Sequence, residues 1–208
     1  LRVGLDSDGV LYKFFSVYNE HLASLGHEVE VESHPEVWDY FTKYGYTAEE
    51  FCSHMDDLVD SKKLFWQGEL YDDNIPDYIR HMRAAGNTIH IVTNRFSGKQ
   101  LSSEEATKHF FESVGIEYDS LTFTKDKTSV PTDIFLEDNL KNYDALEAVG
   151  VEAYLVDRPY NQNGPGEYRR RVGSFYEFYE KVMLRHYNSE RKLQRRSGLP
   201  NRNYPRYR

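Results

Sequence analysis

Short apolar runs alternate along this chain with longer amphipathic stretches. Four runs, at 2–5, 88–92, 134–136 and 151–156, are too short for helices and rich in aliphatic, β-branched residues, which predicts strands buried on both faces. The stretches between them have legible helix ends. One helix begins near Asp73, carries Pro76 in its first turn and stops at Gly86. A second starts at Ser102 or Ser103, with Glu105 placed to complete the cap, and stops at Gly115; a third follows Asn139 and stops at Gly150. Small polar residues at the start supply the oxygen that the first free amides need, and glycine at the end adopts the left-handed conformation that closes the last turn. Repeated strand, helix, strand predicts an α/β fold, a parallel sheet covered by helices on both faces.

The interval 14–71 breaks this rhythm, with helix-like pieces around 14–25, 36–44 and 48–60 and no clear buried parallel strand. It reads as an inserted helical cap, with 1–13 and 72–188 forming the α/β core and 189–208 a basic C-terminal tail. Phe14, Phe15, Trp38, Tyr40, Phe41, Tyr44, Phe65 and Trp66 crowd the interval, and most are expected in the core of a small helical bundle. With 208 residues, 39% of them hydrophobic, the chain can bury a core of its own. No apolar run approaches the roughly 18 residues that span a bilayer, and the N-terminus shows a short strand in place of a signal core; the expectation is a cytoplasmic protein without membrane partners. Cys52 is the only cysteine, which excludes an intrachain disulfide or a cysteine-based zinc site; it is expected to be packed inside a helix. The net charge of −8 conceals an asymmetry, since Arg191, Lys192, Arg195, Arg196, Arg202, Arg206 and Arg208 face only Glu190 in the last twenty residues. The acidic body repels nucleic acid, so contact with it is open only to the tail, whose expected state is a solvated extension.

Each predicted strand ends in a reactive or anion-binding side chain: Asp6 and Asp8, then Thr93 and Asn94, then Glu137 and Asp138, then Asp157. Ligands of an open parallel sheet sit outside the carboxyl ends of its strands, so these residues are expected to converge. Two carboxylates in Asp6-Ser7-Asp8-Gly9-Val10 repel one another and invite a hard cation, with Asp138 as a third oxygen ligand; Mg2+ suits such a set. Gly9 permits a sharp turn and close backbone approach. Thr93 offers a hydroxyl and Asn94 an amide hydrogen to a phosphoryl group, and Lys127, ten residues before Glu137, offers a point charge to its oxygens.

Asp6-x-Asp8-Gly9-Val10-Leu11, Thr93 after a hydrophobic strand, Lys127, and Glu137-Asp138 after another strand resemble, in order, the four motifs of haloacid-dehalogenase-like (HAD-like) phosphatases. Within that superfamily, Thr124-Lys125-Asp126-Lys127-Thr128 and the run 132–138, together with Phe14, look like the 5'(3')-deoxyribonucleotidases. The resemblance covers roughly 1–14 and 72–160. It implies a three-layer Rossmann-like sheet with a small helical cap, and a magnesium-dependent phosphomonoesterase acting on a small phosphate, a deoxyribonucleoside monophosphate in the preferred case. It further implies that Asp6 attacks phosphorus, that Asp8 protonates the leaving oxygen and then activates water, and that Thr93 and Lys127 hold the phosphate. The metal would lie on Asp6, the main-chain oxygen of Asp8 and Asp138, with Glu137 in support, and Phe14 would reach the nucleobase.

Two positions depart from the pattern. Glu137 stands where the family has Asp, and could hold the metal through water or orient Lys127; Asn94-Arg95 stands where the nucleotidases often have Ser-Pro, so that Arg95 could contact phosphate or a second charged group. The segment 157–161 reads as a turn closing the site. A dehalogenase needs no general acid, so Asp8 argues against one. The alternatives are a phosphatase for another small phosphate or for a nucleic-acid 3'-phosphate end, and, in another class, a non-catalytic nucleotide-binding module.

Overall fold

The computed structural model of the chain describes residues 1–162 and 168–197, with backbone alone for 190–197. Six strands form one parallel sheet in the order β3-β2-β1-β4-β5-β6. They are β1 (Arg2–Leu5), β2 (Thr88–Thr93), β3 (Ser120–Phe123), β4 (Ile134–Glu137), β5 (Glu152–Val156) and β6 (Arg171–Val172). The chain runs outward from β1 through β2 to β3, then returns to the other side of β1 to lay down β4. This reversal makes the carboxyl edge of β1 and β4 the topological switch point, where the crossover connections diverge and leave a crevice. Leu5 is in register with both Ile91 and Leu136, so the residues that follow emerge at one level.

Side chains of successive strand residues face opposite ways, and the central strands are apolar on both faces. Ile134 and Leu136 join Val3, Leu5, Ile89 and Ile91 in a fully buried layer with Ile79 and Met82 of α3 (Ile75–Ala84) and Phe178 and Val182 of α6 (Phe175–Ser197). Phe135 and Leu155 point to the other face, against Tyr143 and Leu146 of α5 (Leu140–Ala148). The expected helix ends hold. Ser102 and Glu105 form a reciprocal capping box at α4 (Ser103–Ser113), and Asn139 accepts the amides of Lys141 and Asn142 at α5. Pro76 sits in the first turn of α3, where a missing amide hydrogen costs nothing.

Between β1 and α3 lie α1 (Phe14–Ser24), a 3-10 turn (Tyr40–Tyr44) and α2 (Ala48–Asp60). Phe15, Tyr18, Leu22, Tyr40, Leu58 and Val59 from these segments share one buried cluster with the sheet. Of the helix-like piece at 36–44 only 40–44 is helical; Glu36, Val37, Trp38 and Asp39 are exposed and lack an apolar face to bury. Cys52 corrects another expectation: it lies on α2 but is exposed, because the buried stripe of that helix is Met55, Leu58 and Val59. Strands β3 and β6 were not evident in the sequence. Both are edges: β3 is half-buried throughout, with polar Ser120 and Thr122 interrupting its apolar signal, and β6 has two residues. No helix among the described residues is long and apolar enough to cross a membrane. Helix α6 reaches into the stretch expected as a tail; residues 198–208 and the side chains of the tail arginines lie outside the described residues.

Gly4 in β1 has a packing reason. A Cβ there would lie 2.1 Å from Cδ2 of Phe135 on the neighbouring strand, with no room for either to move in a close-packed sheet. Gly4→Ala is expected to lower stability by about 1–3 kcal/mol, read as a lower urea midpoint at unchanged slope; an unchanged midpoint would show that Phe135 can turn aside.

Candidate active site

Asp6 follows β1, and its amide donates to Leu136 O at 3.0 Å. The ladder thus extends one residue beyond the strand and delivers the Asp6 carboxylate to the crevice at the switch point. The Ser7 amide donates to Asp6 Oδ1 at 2.7 Å. The Ser7 carbonyl then accepts the amides of Val10, Leu11 and Tyr12, coiling the loop tightly. Gly9 takes φ +75°, and a Cβ there would meet Asp138 Oδ2 at 2.0 Å; both the conformation and the close approach require glycine.

Lys127 opens a 3-10 turn (Lys127–Ser129) capped by Asp126, which accepts the Thr128 amide at 3.0 Å. The lysine is buried, and its ammonium donates to Asp6 Oδ1 and to Val92 O. Glu137 Oε2 lies 3.8 Å away. Glu137 ends β4 fully buried, and its Oε1 accepts the amides of Asp138 (3.2 Å) and Asn139 (3.1 Å). It therefore shapes the following loop while facing Lys127. Asp138 Oδ2 accepts from Tyr160 Oη at 2.5 Å, and Asn161 Nδ2 donates to Asp138 O and Val156 O at 2.8 Å each. The segment 157–161 is thus more than a turn, since it buttresses Asp138. No periodicity marked Tyr160 and Asn161 for that task, because their contact joins residues more than twenty positions apart.

Asp6, Glu137 and Asp138 each place a carboxylate oxygen within 4.8 Å of the others, all three buried. Among the described residues the Lys127 ammonium is the one cation paired with them. Burial, then the Glu137 charge, push the Asp6 carboxyl well above its usual range, with Lys127 pulling the other way. Burial raises Glu137. Burial and the Asp6 charge push Asp138 up to about 7. For Lys127, burial opposes the charged form, but Asp6 and Glu137 outweigh it and raise its pKa. The cluster sets three carboxylates against one ammonium, too little positive charge for all three to ionise together. An additional cation is what the donor set suits: all hard oxygens, with Glu137 Oε2 buried and without a hydrogen bond among the described residues.

Thr93 ends β2 fully buried, its hydroxyl without a partner among the described residues. Asn94 beside it is exposed. Asp8 stays outside the carboxylate cluster; it is paired with Arg95 through Nε–Oδ2 (3.0 Å) and Nη2–Oδ1 (2.7 Å). The charged group that Arg95 meets in the structure is thus the Asp8 carboxylate of the same chain. Phe14 begins α1 half-buried, with its ring 5.3 Å from Phe15 and 6.1 Å from Tyr18. The structure therefore places Phe14 in the packing of the 14–60 interval, and brings Asp6, Lys127, Glu137 and Asp138 into one cluster.

A family model described as "5' nucleotidase, deoxy (Pyrimidine), cytosolic type C protein" matches residues 2–187. A Chlorobaculum tepidum protein provisionally named 5'(3')-deoxyribonucleotidase is 28% identical over 153 residues, 72% of this chain and 75% of its own length. Two solved structures resemble the fold: a haloacid dehalogenase-like hydrolase from Streptococcus pneumoniae (TM-score 0.57, 9% identity, 86% of this chain and 97% of that one) and protein tyrosine kinase A of Mycobacterium tuberculosis (TM-score 0.59, 15% identity, 86% and 96%). At these identities the likeness concerns fold alone.

The electrostatics of the cluster predict a pH dependence of stability. A carboxyl held near 7 in the fold, against an ordinary 3.8, keeps a proton that the unfolded chain has lost. Its stabilising contribution is complete below the unfolded pKa and disappears as pH rises through about 7, with a magnitude on the order of 4 kcal/mol. In chelator, the urea midpoint is expected to fall between pH 5 and pH 8, and magnesium is expected to flatten the dependence. The lower limit of pH 5 keeps ionised the carboxylates that are lowered by their hydrogen bonds, such as Asp119 and Asp133. A midpoint in chelator that holds or rises over this range would show that the cluster ionises without an added cation.

Proposed function

Because this chain belongs to the 5' nucleotidase, deoxy (pyrimidine), cytosolic type C family, and so is a hydrolase of phosphomonoesters with a HAD-like fold, we propose that it is a magnesium-dependent 5'(3')-deoxyribonucleotidase. It would convert deoxyribonucleoside monophosphates to nucleoside and phosphate through an aspartyl phosphate. The observation that carries the reading is the Asp6 carboxylate at the switch point, oriented by the Ser7 amide and the Lys127 ammonium on the same oxygen.

Asp6 attacks phosphorus: a new bond forms from its carboxylate oxygen as the ester P–O bond breaks, and Asp8 gives its proton to the departing oxygen, releasing the nucleoside as an alcohol. In the second half Asp8 takes a proton from water, the water oxygen bonds to phosphorus, and the bond to Asp6 breaks to return the carboxylate and release phosphate. Two modest barriers replace one high one. Lys127 holds Asp6 in the resting enzyme and is placed to follow charge onto the phosphoryl oxygens as they develop it. The Thr93 hydroxyl, without a partner among the described residues, and the exposed Asn94 are the further phosphate donors. Glu137, which touches both the 138–139 amides and the neighbourhood of Lys127, fixes the lysine and the loop that carries Asp138. The carboxylates of Asp6 and Asp138, with the main-chain oxygen of Asp8, would hold Mg2+, which when bound supplies positive charge for the phosphate oxygens. Residues 14–71 form the cap in this reading, packed against the core at 1–13 and 72–188, with Phe14 as the candidate contact to the base.

Phosphate release should be measured with magnesium from deoxy- and ribonucleoside 5'- and 3'-monophosphates, sugar phosphates and a 3'-phosphorylated oligonucleotide. Preference for deoxynucleotides is expected; release from the other esters alone would discard the nucleotidase reading, and release from none would favour a binding module. Asp6→Asn is expected to reduce turnover by about 10³-fold or more without unfolding the chain, since an amide of the same size is a poor nucleophile. Turnover retained in that variant would eliminate the covalent intermediate. Asp138→Ala should raise the magnesium requirement steeply, and an unaltered requirement would remove it from the ligand set.

A further inference from the structure

We propose that Arg95 is a positioning residue, which clamps the Asp8 carboxylate in the orientation from which it exchanges its proton with the leaving oxygen. The proposal rests on the reading of Asp8 as acid and base given above. Arg95 follows the exposed Asn94, yet its own side chain is fully buried, while that of Asp8 is 30% exposed at the mouth of the crevice. Burial of a guanidinium is unfavourable unless its charge and its planar array of donors are matched. Here Nε and Nη2 reach the two different oxygens of Asp8, at 3.0 and 2.7 Å, and Nη1 donates to Thr107 Oγ1 at 2.9 Å. A two-point contact fixes the plane of the carboxylate, which a single ammonium could not do. It leaves further lone pairs on each oxygen for a leaving group or a water.

Tyr12, Phe65 and Thr107, which surround the guanidinium, are themselves held. Its carbon lies 4.0 Å from the centre of the Phe65 ring and 4.8 Å from that of Tyr12. Phe65 adopts φ +63°, a left-handed conformation uncommon for a bulky residue. The Phe65 amide donates to Tyr12 Oη at 3.2 Å, and Tyr12 Oη donates to Gln67 O at 2.6 Å. Thr107 Oγ1 donates to Ser103 O at 2.6 Å, and Ser103 Oγ donates back to Arg95 O at 2.9 Å. Such a rigid support would be superfluous for a loop anchor, but it suits a carboxylate that must return to one place after giving up a proton and taking another. Lys127 thereby serves Asp6 and Arg95 serves Asp8.

A general acid matters more when the leaving group is a poor one, and this separates positioning from mere support. Arg95→Met, Arg95→Lys and Asp8→Asn should be compared in the full-length protein on the best nucleoside monophosphate, whose alcohol must be protonated, and on p-nitrophenyl phosphate, whose phenolate leaves readily. Both Arg95 variants are expected to lower the alkyl-to-aryl ratio of kcat by about 10-fold or more, in the direction of Asp8→Asn. The double variant Asp8→Asn/Arg95→Met should be no slower than Asp8→Asn alone. If Arg95→Met proves insoluble, Thr107→Val, which removes one bond to the guanidinium and none to Asp8, should shift the ratio the same way by less. Equal losses on both esters in the Arg95 variants, or multiplicative losses in the double variant, would overturn the proposal while leaving Asp8 in its role. Equal losses in Asp8→Asn itself would remove that role and the proposal with it.

Discussion

One buried ammonium facing three buried carboxylates is the constraint on which the carboxyl edge of this sheet depends. Lys127 is bonded to Asp6 and lies 3.8 Å from Glu137, while Asp138 shares the cluster. Charges removed from water are tolerated only when paired and hydrogen-bonded, and here the local backbone is arranged to provide that. The carbonyl of Val92 accepts a second hydrogen bond from Lys127, and the amides of Asp138 and Asn139 donate to Glu137. Removing any one of these carboxylates would leave the balance altered for the others, which is why the raised pKa values of Asp6, Glu137 and Asp138 have to be understood together.

The loop after β1 separates two carboxylates that are only two residues apart. Asp6 turns toward the cluster and Asp8 toward Arg95. Gly9 makes the division possible, since its left-handed conformation reverses the chain under Asp138 where no side chain would fit. Two carboxylates in different electrostatic surroundings can perform different chemistry at one pH. The strongly apolar shelf beneath Arg95, built from Tyr12 and Phe65, links that loop to the segment leading back from α2. In this way the interval 14–71 is packed onto the motif and does not merely cover it.

The central architecture was legible in the sequence because it rests on local signals. Strands β1, β2, β4 and β5 are buried on both faces and therefore written as apolar runs, and α3, α4 and α5 carry their caps in adjacent residues. Edge strands β3 and β6 escaped because an edge needs no continuous apolar run. Cys52 was misplaced because its helix faces the core with a stripe that begins three residues later. The convergence of Asp6, Thr93 and Glu137-Asp138 at one edge followed from parallel topology alone, since parallel strands that begin together also end together.

Partnership was the part that tertiary structure alone decided. The sequence by itself determined the strand order of acids, hydroxyl and lysine, the glycine at the turn, and with them the kind of chemistry the edge can support. It did not determine that Arg95 would reach Asp8, that Tyr160 and Asn161 would hold Asp138, or that Glu137 would face Lys127. Each of those contacts joins residues from different strand ends, turns and loops, at a distance set by the fold. A hydrogen bond between such residues leaves no periodicity to read, because local patterns encode only which face a residue takes and not which residue it meets there.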